Sequence, residues 1–141
     1  MSAQRFQAHS RSCFVQALLL LGCMAAVHCS TGSGWTTSDP AVVSALDSVV
    51  VTAVRRSDAE GAQRFLEVER EFSAKLRSAD YGQLANDLLD LSRPIAARTV
   101  LDSAERRFGA DPEVADQIQR LRERVRLVEI QLELTSPEID D

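Results

Sequence analysis

Residues 111–134 read DPEVADQIQRLRERVRLVEIQLEL, and the reading of this stretch decides the fold. Asp111 can cap a helix, and Pro112 brings a preset φ to the first helical position. Val114, Ile118, Leu121, Val125, Val128 and Leu132 then recur at alternating spacings of four and three, which is a heptad seam. A strand pattern competes at the far end. There Val128, Ile130, Leu132 and Leu134 alternate with Glu129, Gln131 and Glu133. The heptad enters this segment without a break, so a long helix is expected, and its last turns stay open to both readings.

Working towards the N-terminus, the same grammar repeats. Pro94 disfavours a helical Arg93 and so ends a helix expected over about 80–91, with Leu84, Ala85 and Leu88 inward. Pro94 then starts another, carrying Ala97, Val100, Leu101, Ala104 and Phe108 and stopping at Gly109. Ser57 followed by Glu60 forms a capping box ahead of a helix that buries Ala62, Phe65, Leu66, Phe72 and Leu76. Asp39-Pro40 opens the first helix, whose Val42, Val43, Leu46, Val49, Val50 and Ala53 share one face. Val49 to Val51 is a β-branched run, but its continuity with Leu46 and Ala53 favours helix. The expected body is therefore all-α, with about five antiparallel helices over residues 38–135 and a disordered acidic tail over 136–141.

The chain also resembles itself at an offset of 35 residues. Leu46 falls on Tyr81, Val50 on Ala85, Ala53 on Leu88, Ala62 on Ala97 and Leu66 on Leu101. Repeats of this length mark helical hairpins that stack, because one hairpin cannot bury its own apolar face. At these residues the chain resembles a tetratricopeptide-type repeat, with Tyr81, Leu84, Ala85 and Leu88 as packing residues of a first helix and Ala97, Leu101 and Ala104 as those of a second. It departs from that pattern at Glu69, where a small residue is expected, and at Pro112, three residues beyond the family's closing proline. An unrelated antiparallel bundle fits the same spacing.

The resemblance implies two stacked hairpins plus a long last helix. It also implies a protein-binding groove lined by outward residues of each first helix: Asp47, Val51 and Arg55, then Asn86, Leu89 and Asp90. The charged members fit an ordinary solvated face equally well. Two hairpins make a short stack, so the seam from Val114 to Leu132 is expected either to cap it or to pair with a second chain.

The N-terminal quarter gives an address. Arg5 and Arg11 precede an apolar run from Cys13 to Leu21, the arrangement of a secretory signal over residues 1–22. Leu20-Leu21-Gly22-Cys23 resembles the lipobox of bacterial lipoprotein precursors, which implies lipidation at Cys23 and a membrane-anchored envelope protein. Each buried acyl CH₂ contributes about 0.8 kcal/mol, and two chains give stable attachment. Apolar character continues to Val27, so cleavage near Cys29 and a soluble periplasmic or secreted product is one rival; an uncleaved anchor over Cys13 to Cys29, shorter than the ~20 residues a spanning helix needs, is another. Residues 23–37, with Ser30-Thr31-Gly32-Ser33-Gly34 and the single tryptophan Trp35, read as a flexible tether.

Composition narrows the function. The leader holds two arginines and no acid, so its loss takes the net charge from −5 to −7. That balance argues against nucleic acid as a partner. Both histidines (His9, His28) and all three cysteines (Cys13, Cys23, Cys29) precede the helical region. Histidine-based catalysis, thiol nucleophiles and most transition-metal sites are thereby excluded from it. Carboxylate pairs such as Asp87 with Asp90 or Glu67 with Glu71 fit solvated charges balanced by Arg64, Arg70 or Arg93. No phosphate loop or nucleophile elbow is present. The expectation is a non-catalytic envelope protein with no cofactor, metal or small-molecule ligand. Its partners would be another envelope protein or itself, with the membrane reached through the lipid.

Overall fold

A computed structural model describes residues 39–136. The signal segment, the lipidation candidate Cys23, the tether and residues 137–141 of the tail lie outside the described residues. Among the described residues the chain is all helix: α1 (Pro40–Arg55), α2 (Asp58–Phe72), α3 (Ser78–Asp90), α4 (Pro94–Phe108) and α5 (Pro112–Thr135). The helical reading of 128–134 is correct. Serine 136, expected in the tail, closes α5 by donating its N–H to Leu132 O at 3.0 Å.

The helices start where their capping chemistry places them. The Asp39 carboxylate accepts the Ala41 N–H at 3.0 Å and also takes the Lys75 ammonium at 2.7 Å. The Lys75 hydrogen bond, followed by that backbone N–H, holds the Asp39 carboxyl below its ordinary value. Ser57 Oγ accepts the Glu60 N–H at 3.1 Å, and Asp111 accepts the Glu113 N–H at 2.9 Å. The third helix begins two residues earlier than expected. Asp80, in its first turn, accepts the Arg77 N–H at 2.9 Å and so holds the helix start from inside.

The exit of α3 differs from the expectation in mechanism. Ser92 adopts a left-handed backbone, φ 56°. Its N–H donates to Leu89 O at 3.0 Å, and the Arg93 N–H reaches back to Leu88 O at 2.8 Å. That pair of bonds is the Schellman arrangement, with serine where glycine is usual. Proline 94 begins the next helix, as expected, but α3 is already turned out of its course at Ser92.

The helices pair as two hairpins, α1 with α2 and α3 with α4, and α5 lies on the second. Between hairpins α2 packs extensively on α4, while α1 touches α3 more lightly. One apolar cluster runs through all five helices, from Val42, Leu46 and Val49 through Phe65, Leu84, Leu88 and Val100 to Ile118, Leu121 and Val125. The members of each 35-residue pair are buried or half-buried together, as Leu46 and Tyr81 or Ala53 and Leu88 show. Close approach of α1 and α2 depends on Gly61: a Cβ there would lie 2.8 Å from Ala53 Cα and closer still to Ala53 Cβ.

Two carboxylates of α2 reach into the second hairpin. Asp58 accepts the N–H groups of Ile95 and Ala96, each at 2.7 Å, and so caps α4 across the interface. Arg93 provides no side-chain cap of its own. Glu69 accepts from Tyr81 Oη and from Ser103 Oγ, both at 2.9 Å, which joins α2 to α3 and α4. The departure from the repeat pattern at Glu69 therefore has a structural cause. A small residue there would leave two hydroxyls of the second hairpin without their acceptor.

Candidate functional site

A hydrogen-bonded cluster centres on Tyr81. Its ring is buried and meets Phe65 and Phe108 edge to face, with centroids 5.8 and 5.5 Å away. Arg107 donates to Tyr81 Oη and, at 2.6 Å, to Ser73 O, while Arg106 donates to Ser103 Oγ at 2.7 Å. Burial pushes the Tyr81 hydroxyl up to about 12; Glu69 adds to this and Arg107 opposes it. The phenol thus stays protonated at neutral pH and serves as a donor. Each member of this cluster already holds another member, so its chemistry is that of a bracket between helices.

The outward residues implied by the repeat resemblance sort into two groups. On α1, Asp47, Val51 and Arg55 are exposed, as is Val54 beside them. On α3 the picture changes. Arg124 of α5 donates to Asn86 Oδ1 and, at 2.8 Å, to Asp90 Oδ1. Leu89, expected outward, is only 3% exposed and belongs to the core. The correction has a simple origin: α5 lies across this side of α3 and covers what would be groove floor. Asp87 sits nearby, its carboxyl raised above the ordinary value by partial burial. The Gln83 side chain, donating at 2.8 Å, opposes the rise, and the charges of Asp90 and Asp47 add to it.

An open groove of about 710 Å³ lies between the starts of α3 and α5, with Ser78, Asn86, Asp111, Asp116 and Arg120 among its lining. Its charged groups are largely occupied within the chain, Asp111 as a helix cap and Asp116 with Arg120. Among the described residues no group of three or more His, Cys, Asp or Glu is placed to hold a metal ion. None of the described helices is long and apolar enough to cross a membrane.

The heptad seam of α5 splits between two environments. Ile118, Leu121 and Val125 are buried against the chain's own body, and Val114 and Val128 pack partly against it. Leu132, the last member, is 39% exposed. Arginine and acid pairs fasten this face: Arg122 meets Asp102 at 2.9 Å and Glu105 at 2.6 Å, and Arg98 pairs with Glu129. The seam that periodicity offered to a second chain thus serves as intramolecular packing along most of its length.

A second apolar stripe, absent from the sequence reading, runs along the opposite side of α5. Leu127 is 65% exposed, Ile130 52% and Leu134 81%. At about 100° per residue these three stand roughly 140–200° round the helix from buried Val125. Their spacing of three and four is a short seam in its own right. The strand-like alternation at 128–134 hid it, because on a helix Val128 and Leu132 fall on the inner face while Ile130 and Leu134 fall on the outer one. Comparison with protein-family models, curated proteins and solved structures gives no match.

Proposed function

We propose that the chain is an exported, lipid-anchored helical scaffold of the bacterial cell envelope, acting by holding proteins rather than by chemistry. The lipobox-like Leu20-Leu21-Gly22-Cys23 supports the anchor, and the absence of histidine and cysteine from residues 38–136 supports a non-catalytic role. One observation carries the binding role: large apolar side chains stand at the surface in series on α5 and, as Val51 and Val54, on α1. Single exposed apolar residues are ordinary, whereas an ordered row of them marks a contact surface.

The test uses the full-length chain in its own cells. A clickable fatty acid should label the protein, and Cys23→Ala should abolish the label. A photocrosslinking amino acid placed at Val51 or Leu127 should trap a protein adduct identifiable by mass spectrometry. Absence of label refutes the anchor, and absence of an adduct at both positions refutes the scaffold.

Self-assembly through the last helix is a second reading, and the outward stripe of α5 specifically favours it. On that reading the contact lies opposite the Val114–Leu132 seam, whose central residues are buried in the chain's own core.

A further inference from the structure

We infer that the outward stripe of α5 pairs with the same stripe of a second copy, antiparallel, about a two-fold axis at Ile130. This deepens the self-assembly reading above and rests on it.

The argument begins with what the stripe lacks. Leu127, Ile130 and Leu134 face away from the body, and the residues opposite them on α5 are already packed. A row of three large apolar side chains over two turns needs a partner surface of the same length and the same narrow shape. A second copy of the row meets that need. Laid antiparallel with Ile130 at the centre, it sets Ile130 against its own counterpart and Leu127 against Leu134 of the partner subunit.

Charge then selects this register and direction. Arg126 and Glu133 both lie on the same flank of the stripe, one near each end, and both are exposed. Neither forms an ion pair with another described residue, whereas Arg120, Arg122, Arg124 and Glu129 all do. In the antiparallel arrangement centred on Ile130, Arg126 faces Glu133 of the partner subunit, and symmetry repeats the pair at the other end. In a parallel pairing opposite flanks meet, so Arg126 would instead face the uncharged Gln131 of the partner subunit and form no ion pair there. The two charges therefore distinguish the directions, and they do so with the same register that matches the apolar row.

The interface is small, so the expected dimer is weak and concentration-dependent, dissociating in the micromolar range. A lipid anchor would raise the local concentration of copies and favour it further.

The experiment is sedimentation equilibrium of the full-length chain in density-matched non-ionic detergent, up to about 200 µM. The wild type should show a monomer–dimer equilibrium. Arg126→Glu alone and Glu133→Arg alone should each weaken dimerisation about tenfold, because each converts two attractive pairs into two repulsive ones. The double exchange, Arg126→Glu with Glu133→Arg, should restore affinity to within about threefold of wild type. Ile130→Asp should abolish the dimer, and an unchanged far-UV circular dichroism spectrum shows that folding is retained. A monomeric wild type overturns both the self-assembly reading and this inference. A dimer indifferent to the charge exchanges, or one in which the double exchange is worse than either single, overturns this inference and leaves self-assembly standing through another surface. A stripe that crosslinks only to a different protein also overturns it.

Discussion

Replacing Gly61 by alanine and replacing Gly82 by alanine are the same chemical change in the middle of a helix, and they should move stability in opposite directions. On an exposed helix either substitution would gain about 1 kcal/mol from helix propensity alone. At both positions a new Cβ would meet an atom at 2.8 Å, about 1 Å inside ordinary carbon contact. The identity of that atom decides the outcome. At Gly61 it is Ala53 Cα, part of the backbone of α1, with Ala53 Cβ nearer still. Relief requires α1 and α2 to separate where Ala53 is fully buried and the core is continuous. Overpacking of this kind costs about 1–3 kcal/mol, and a backbone obstacle belongs at the upper end, which leaves a net loss of about 2 kcal/mol. At Gly82 the obstacle is Gln117 Nε2, the tip of a flexible side chain on the exposed side of α5. It can rotate away, so Gly82→Ala should keep most of the propensity gain, about 0.5–1 kcal/mol. Thermal unfolding of the full-length chain followed by far-UV circular dichroism measures both. For a body of this size the expected shifts are about −10 °C and a few degrees upward respectively. Ala53→Gly in the Gly61→Ala background should recover part of the loss. Equal signs for the two single variants, or a Gly61→Ala protein as stable as wild type, would refute the assignment of the α1–α2 crossing to Gly61.

Three further outcomes are expected. Tyr81 is the only tyrosine, so ultraviolet titration of its phenolate reports one group; it should ionise near pH 12 instead of 10, and unfolding should restore the ordinary value. Because the folded state keeps that proton after the unfolded state has lost it, Tyr81 should make stability fall between pH 10 and about 12. The variant Tyr81→Phe should lack this component in urea unfolding. Asp58→Ala should cost about 1–2 kcal/mol by leaving the Ile95 and Ala96 N–H groups uncapped, while Asp58→Asn should retain part of the effect; a loss below a few tenths would count against the interhelical cap. Ser92→Gly should raise the unfolding midpoint by a few degrees, since glycine adopts the left-handed backbone without a Cβ penalty, and a fall would contradict the turn geometry.

Helix starts were legible because proline and acid act locally: Asp39-Pro40, Ser57, Pro94 and Asp111-Pro112 need only their own neighbours to declare a boundary. The apolar faces were equally legible from periodicity. Periodicity tells which face is covered but not by what, and this is where expectation and structure part. The Val114–Leu132 seam is an apolar face whose central occupant is the same chain. The burial of Leu89 was not legible because nothing local reports that Arg124, 35 positions away, brings α5 over Asn86 and Asp90. The outward stripe was not legible because one alternating run of residues serves two faces of a helix. The roles of Asp58 and Glu69 were not legible, since an acceptor's role appears only when its donors arrive from another helix.

The reach of those two acids bears on how the chain folds. In an open stack each repeat contacts only its neighbours, and folding can start at any repeat and spread from it. Here the first turn of α4 is completed by Asp58, 37 and 38 positions upstream of Ile95 and Ala96, and the hydroxyls of Tyr81 and Ser103 both donate to Glu69 of the first hairpin. The second hairpin is therefore chemically unfinished until the first has docked on it. Unfolding of the two hairpins is therefore expected as one cooperative transition, with far-UV circular dichroism and Tyr81 absorbance changing together in urea.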